Sequence, residues 1–410
     1  MSKLNRYMAQ TSLSAFFAYC QSKKLPMAFY RLPHQSEVKV VAQKNPVVRK
    51  VFPGTAHIYE QGFLMAPFVE NQFSTKIFIQ PDVYTTADNL PPLNFALQIL
   101  EYTEDKLKAK KRFANKVQFK KSVKQIRKKI RAGWFKKIVA ARVIKQTKPL
   151  NFDEIIFFET LCKKHPTAFV SLVSSQEHGT WIGASPEVLL QVNEQGFTTY
   201  SLAGTMANTA WNEKVGWGEK EQVEQNLVSE YILQSLEQIT KDTPEITGPD
   251  TIVAGNLLHL CTSFTYKNVP HFNWQKAVDV LHPTPAVAGL PKNEAVNYIL
   301  QNEINPRNYY SGYLGPVNLD GEINLFVNLR CMQVTKKNLM LYVGCGVTSD
   351  SKPSKEWKET KIKAETLLSI LKETPQKLKV SKSFTTLLTD EHREKNSAPA
   401  SATLQAEGNS

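Results

Sequence analysis

Apolar residues recur along this chain at two spacings, and the switches between them mark out its elements. Short runs at Met27-Ala28-Phe29-Tyr30 and Lys76-Ile77-Phe78-Ile79 predict strands between polar loops. From Trp134 the pattern tightens. Ile138 to Val143 and Thr167 to Val173 read as strands, with a helix over Asn151 to His165 between them. Thr180 to Val192 and Phe197 to Leu202 read as two strands flanking Asn193-Glu194-Gln195-Gly196, a hairpin turn. Lys220 to Thr240 has helical spacing, with Leu227, Val228, Ile232, Leu236 and Ile239 on its inner face. Asp320-Gly321 is a second hairpin signal, ahead of a strand from Asn324 to Val334. The last helix runs from Lys355 to Lys372 and Pro375 stops it. Hairpins mixed with helices, without regular βαβ alternation, give an α+β fold class. There is no internal repeat.

Composition narrows the class. A chain of 410 residues that is 42% apolar suits one large domain or two ordinary ones. Residues 1–105 are mixed in pattern, 106–375 carry the dense periodic elements, and 376–410 read as a disordered tail. From about Ser381 that tail is rich in Ser, Ala, Thr and charge. No apolar run approaches the roughly 18–20 residues of a membrane span. Met1 to Arg6 lacks the apolar core of a signal peptide. Cys20, Cys162, Cys261, Cys331 and Cys345 are scattered, odd in number and form no CxxC pair. That speaks against a disulfide framework or a zinc site and for a reducing cytoplasm. A cytoplasmic monomer without a membrane partner is expected.

The net charge of +14 changes the picture only in part. Lys106 to Lys137 holds fifteen Lys or Arg and no acid. Within it Phe119, Val123, Ile126 and Ile130 recur at helical spacing, an amphipathic helix with a basic outer face. RNP, zinc-finger and glycine-rich RNA patterns are missing, so the face reads as solvated and no nucleic-acid partner is expected. A basic nucleic-acid-binding protein is the reading of a different class. It leaves the acids below unexplained. An anionic substrate also gains from such a field.

Candidate chemistry is richest near the end of the chain. The strand Tyr342-Val343-Gly344-Cys345-Gly346-Val347 runs through two glycines one residue apart, which let backbone approach a ligand and aim N–H groups at an anion. In the helix that follows, Glu359 and Lys363 share a face. By itself this is equally a strand, a loop and a surface ion pair. Lys137 opens a strand and alone is one lysine among many. Glu187 follows Ser185-Pro186 at a strand edge beside Trp181 and Ile182, where partial burial raises a carboxyl pKa and suits a general acid. Glu224 continues the apolar stripe of Val228 and Ile232. It reads either as a helix-start glutamate favoured by the dipole or as a metal ligand with Glu359. In Phe326, Asn328, Arg330 the arginine alternates away from Leu325, Val327 and Leu329, and can clamp a carboxylate. Leu281 to Pro291 is a rigid, proline-punctuated wall.

Taken together these stretches resemble the chorismate-utilising enzymes: isochorismate synthase, salicylate synthase, and the large subunits of anthranilate and aminodeoxychorismate synthase. The resemblance is carried by Lys137-Ile-Val-Ala-Ala-Arg142, Gly183-Ala-Ser-Pro-Glu187, Leu202-Ala-Gly-Thr205, Lys220-Glu-Gln-Val-Glu224 and His259-Leu-Cys-Thr262. It continues through Leu281 to Pro291, Arg307-Asn-Tyr-Tyr-Ser-Gly312, Leu329-Arg330-Cys331, Gly344-Cys-Gly346 and Glu356-Trp-Lys-Glu359 with Lys363, all in family order from about residue 110 to 372.

The resemblance implies two stacked antiparallel β-sheets surrounded by helices, with the site in the cleft between them. It implies Mg²⁺ on Glu224 and Glu359, holding the ring carboxylate of chorismate. Tyr310, Arg330 and the Gly344 and Gly346 backbone would hold the enolpyruvyl carboxylate, with Lys363 nearby. Gly204 and Thr205 would line the ring, and His259 and Thr262 complete the substrate-binding set. Ammonia-adding members have glutamine where this chain has Lys137. The aminodeoxychorismate type has a nucleophilic lysine in the slot of Ala203. The reaction implied is therefore isochorismate synthesis, an isomerase activity. Lys137 takes a proton from water attacking C2, and Glu187 protonates the departing C4 hydroxyl. Salicylate synthase, which adds pyruvate elimination, is the alternative. The product would feed menaquinone or siderophore biosynthesis. Gln225 departs from the pattern, standing where the family commonly has histidine, and Asn328 and Leu329 stand where the family varies.

Overall fold

A computed structural model describes residues 11–51, 60–71, 74–93, 113–208, 216–254, 257–269 and 272–373. The tail expected over 376–410 and the stop at Pro375 lie outside the described residues. Helix α1 (Leu13–Ser22) leads into β1 (Met27–Arg31), β2 (Lys39–Ala42), β3 (Arg49–Val51), β4 (Gly62–Ala66), β5 (Lys76–Ile79) and β6 (Val83–Thr86). Next come α2 (Lys116–Arg131), β7 (Lys137–Thr147), α3 (Glu154–Lys164), β8 (Phe169–Ser175), β9 (Gly179–Ser185), β10 (Val188–Asn193) and β11 (Gly196–Ala207). The chain continues through α4 (Glu219–Leu236), β12 (Glu245–Ala254), β13 (Leu257–Lys267), α5 (Trp274–Leu281), β14 (Gly289–Leu290) and α6 (Lys292–Asn302). It closes with β15 (Tyr313–Leu319), β16 (Glu322–Val327), β17 (Cys331–Val334), β18 (Asn338–Val347) and α7 (Pro353–Glu373).

Among the described residues these strands form two nine-stranded sheets. The first runs β14-β7-β18-β17-β9-β8-β1-β2-β6 and the second β12-β13-β11-β10-β16-β15-β4-β5-β3. Neighbouring strands pair antiparallel. The sheets face each other through an aromatic layer. Phe169 of the first stacks on Phe326 of the second at 4.1 Å, and Tyr30 meets Phe63 at 5.5 Å. Helices α1, α3 and α7 cover the outer side of the first sheet, and α4 and α5 that of the second. Burial on both faces explains why the strands read as continuous apolar runs rather than clean alternations.

The expected α+β class and stacked sheets are the observed ones. Two expected strands are each broken in two. Thr180 to Val192 divides into β9, in the first sheet, and β10, in the second. Asn324 to Val334 divides into β16, in the second sheet, and β17, in the first. The chain thus crosses between sheets at Ser185-Pro186-Glu187 and again at Asn328-Leu329-Arg330. The crossings are bonded together: Val327 N donates to Glu187 O at 2.9 Å and Ala184 N to Arg330 O at 3.2 Å. Ser185 Oγ donates to Val327 O. Apolar spacing marks a strand but not the sheet it joins, so periodicity cannot reveal a switch. It also misplaces the cause of Arg330's orientation. Arg330 is past the end of β16, at φ +48°, and that left-handed turn aims it instead of strand alternation.

Candidate active site

The two crossings open a cavity between the sheets. It is lined by Lys137 and Val139 of β7, Glu187, Gly204 and Thr205, and Glu221 and Glu224 of α4. His259, Tyr310, Arg330, Gly344, Gly346, Glu359 and Lys363 complete the polar wall. Of the residues singled out in the sequence, Thr262 alone is elsewhere. Three residues along β13 from His259, it points to the opposite face, where its hydroxyl accepts from Gln225 Nε2 at 3.0 Å.

Lys137 is 1% exposed and its ammonium lies 2.7 Å from Glu224 Oε1. Both are possible because Gly346 has no side chain. A Cβ there would stand 2.7 Å from Glu224 Oε1 and 3.1 Å from Lys137 Cε. Gly344 does the same for Tyr310, whose hydroxyl would be 2.8 Å from a Cβ. Opposite these glycines, Val139 N donates to Ala288 O and Ala141 N to Glu303 Oε1, away from β18. In an antiparallel ladder the paired Gly346 and Gly344 amides then turn away from β7 as well. Strand β17 reaches only Leu341 on that side, so the two N–H groups face the cavity end.

Glu187 is buried, which pushes its carboxyl up to about 7; Lys137, Lys363 and Arg330 oppose the shift. For Glu224 burial pulls upward too, but the charge and hydrogen bond of Lys137, with Lys220 and Lys363, outweigh it and hold the carboxyl below its ordinary range. His259 is pushed down to about 3 by burial, then by Arg330 and Lys363, so it is neutral. Its Nδ1 sits 2.9 Å from Gly204 O and so carries the proton, leaving Nε2 as acceptor toward Arg330 Nη2 at 3.5 Å. Burial lowers Arg330 to about 10, which still leaves it cationic at neutral pH. Its Nη1 donates to Thr366 of α7 at 3.3 Å.

Helix α7 is set in rotation by Arg142, whose guanidinium lies 3.9 Å from the Trp357 ring centre and donates Nε to Thr360 Oγ1 at 3.0 Å. That turns Glu356, Glu359 and Lys363 inward. Lys363 pairs with Glu359 at 2.7 Å. On the facing helix Gln225 accepts from Ala203 N at 2.9 Å and donates to Ser201 O, Ser201 Oγ and Thr262 Oγ1. These four bonds exceed what a histidine's two ring nitrogens can make there.

Sequence reasoning quoted Lys220, Glu221 and Glu356 within its motifs but gave them no role in the site. Glu356 is 2% exposed, with Oε2 lacking a hydrogen-bond partner. Burial and the Glu359 charge push it up to about 6, Glu224 adding and Lys220 opposing. Helical spacing was the available signal: Glu356 precedes Glu359 by three, and Lys220 and Glu221 precede Glu224 by four and three. Among the described residues no group of three or more His, Cys, Asp or Glu closes on one point as a metal cage. Two carboxylates facing one cavity, backed by a buried carboxylate with an orphaned oxygen, do fit a hard cation that takes its other ligands from water and substrate.

Residues 88–372 match the family described as chorismate binding enzyme. Isochorismate synthase EntC of Escherichia coli (strain K12) is 28% identical over 242 residues, which are 57% of this chain and 62% of that protein. The salicylate biosynthesis isochorismate synthase of Pseudomonas aeruginosa is 30% identical over 250 residues, covering 59% of this chain and 52% of that protein. The solved structure of MenF, the menaquinone-specific isochorismate synthase from Escherichia coli, superposes with a TM-score of 0.68 at 21% identity. That superposition covers 84% of this chain and 88% of MenF.

Proposed function

The chain belongs to the chorismate-binding enzymes, matched over residues 88–372, and on that premise we propose that it is an isochorismate synthase. The observation that carries the reading is the pairing of opposite roles in one cavity. Glu187 is held near 7, where a carboxyl still has a proton to give, and Lys137 Nζ lies in the same cavity 2.7 Å from Glu224 Oε1. Two carboxyls of one cavity are pushed apart, Glu187 upward by burial and Glu224 downward by Lys137, which suits the first to give a proton and the second to stay ionised.

Lys137, once its ammonium has released a proton and stands as the neutral amine, accepts a proton from the water that attacks C2 of chorismate. The ring double bond shifts, and Glu187 gives its proton to the C4 oxygen as that bond breaks. One water adds, one leaves and the net charge is conserved. Arg330, fixed by Thr366 and neutral His259, clamps the enolpyruvyl carboxylate, with Tyr310 and the Gly344 and Gly346 amides beside it. Glu224 and Glu359 would hold Mg²⁺, which would supply positive charge for the ring carboxylate. With Ala203 on the wall, no lysine is present there to form a covalent intermediate. Two structural neighbours are described as a menaquinone-specific and a putative 2,3-dihydroxybenzoate-specific isochorismate synthase, and either use is compatible with this site.

The test is the product. Purified protein with chorismate and Mg²⁺ should accumulate isochorismate on chromatography, with no pyruvate in a parallel lactate dehydrogenase assay. Salicylate and pyruvate rising together from the first minutes would transfer the reading to salicylate synthase. Absence of any turnover would sink both.

A further inference from the structure

Two neighbouring helices on the outside of the molecule present charge of one sign. Helix α2 buries Phe119, Val123, Ile126 and Ile130. Its opposite stripe, at helical steps of four, three, four and three, is Val117, Lys121, Lys124, Lys128 and Arg131, all exposed. Helix α7 packs beside it. The Phe119 and Trp357 rings are 5.7 Å apart, and Arg127 and Arg131 donate to the Ser351 and Ser349 carbonyls at 3.1 Å each. Over the first half of α7 the exposed side chains are Ser354, Lys355, Lys358 and Lys361. The acids of that stretch, Glu356 and Glu359, turn inward to the cavity, leaving Asp350 of the connecting loop as the exposed acid beside this face.

The cations are bracketed by apolar groups. Val117, at the start of α2, is 75% exposed. Trp134, just past its end, is 63% exposed with the Lys129 ammonium 4.0 Å from its ring centre. Sixteen helical residues separate the two ends by about 24 Å. Solubility needs only charges of mixed sign. A one-sign surface over α2 and the first half of α7 repels itself and is relieved by an anionic counterpart. The counterpart that also accommodates an indole and an aliphatic side chain is a bilayer surface, with phosphates outermost and the acyl boundary beneath. A nucleic-acid duplex offers the phosphates but no apolar layer for Val117.

We propose that the α2–α7 face docks this protein on a bilayer rich in anionic lipid, its lysines on the headgroup phosphates and Trp134 and Val117 at the boundary layer. Among the described residues no helix is long and apolar enough to cross a membrane. Lying on a membrane is a different arrangement from crossing one, so the expectation of no membrane partner is revised here. The proposal goes beyond the reaction and does not depend on it.

The experiment is co-sedimentation of the purified full chain with phosphatidylcholine vesicles, with and without phosphatidylglycerol, at low and high salt. Retention is expected on the phosphatidylglycerol vesicles and should be released by salt, because screening shortens the reach of each charge to about 3 Å at 1 M. The triple variant K121E/K124E/K128E should partition at least about 100-fold more weakly, each cation at such a surface being worth roughly five-fold. Melting curves check that it folds. The pair K355E/K358E on α7 supplies the same test should the α2 variant not fold. Equal binding to both vesicle types overturns the proposal. So does unchanged binding of a folded charge-reversal variant, or preference for duplex DNA over vesicles at matched phosphate.

Discussion

Lys137 Nζ and Glu224 Oε1 are 2.7 Å apart although the two residues sit on elements of opposite sheets, β7 of the first and the helix packed on the second. The pair therefore bridges the cleft as well as arming it. Breaking it removes the proposed base and also leaves a carboxylate without its cation.

Lys137→Ala should lower turnover by about 10²–10⁴-fold, the usual loss of a general base. It should also lower the melting temperature, because Glu224 loses its partner. Adding Glu224→Gln should restore melting without restoring turnover. A single variant that melts normally would show that the ion pair contributes nothing to the fold.

Glu187 sets a pH dependence of definite sign. Its folded pKa of about 7 lies above the ordinary carboxyl value of 4.5. Any stability it contributes is fully present below the unfolded value and is lost as pH rises through about 7. Activity that needs the protonated acid falls over the same limb. Glu187→Gln should therefore be inactive, yet more stable than wild type at pH 8 by on the order of 1–3 kcal/mol, one unit being about 1.4 kcal/mol. Melting both proteins at pH 5 and pH 8 reads this out. An equal or lower stability of the variant at pH 8 contradicts the raised value.

Gly346→Ala tests the close approach. The new methyl meets the Glu224 carboxylate at 2.7 Å and the Lys137 stem at 3.1 Å, so one of them must move. Turnover should fall by about 10²-fold or more, as for a misplacement of about 1 Å. Gly344→Ala should instead displace the Tyr310 hydroxyl and act mainly on KM for chorismate. Normal kinetics in the Gly346 variant would mean that the Lys137–Glu224 geometry does not govern the reaction.

Metal dependence follows from the carboxylates. EDTA should abolish activity and Mg²⁺ restore it, while Glu359→Gln should raise the Mg²⁺ concentration needed at least ten-fold. Mg²⁺ should also raise the wild-type melting temperature in the presence of chorismate. Full activity of wild type in EDTA removes the two-carboxylate site from the account.

Much of the architecture was legible because buried strands and amphipathic helices write their periods into the chain. β1, β5, β7, α3, α4 and α7 lie where their apolar spacing put them. The sheet switches were not legible, since the spacing of Val188 and Leu190 does not reveal the bulge that sends them to different core clusters. Their effect is local and conformational, the turn through Pro186 and the left-handed Arg330. In the site, Glu356 stayed hidden because a buried carboxylate and a surface one look alike in sequence. Thr262 entered the set through the His259-Leu-Cys-Thr262 motif, which does not show that its side chain faces Gln225 rather than the cavity.

The two crossings between sheets have a consequence for the working life of the molecule. Acid and arginine each stand at a crossing, while the lysine and its carboxylate partner span the cleft. No half of the molecule carries a usable set. Any excursion that separates the sheets by even a bond length disarms the catalyst well before the chain unravels. Catalytic competence is thus a sensitive gauge of sheet-to-sheet contact, and heat should silence the enzyme a few degrees before far-ultraviolet signals report the loss of its strands.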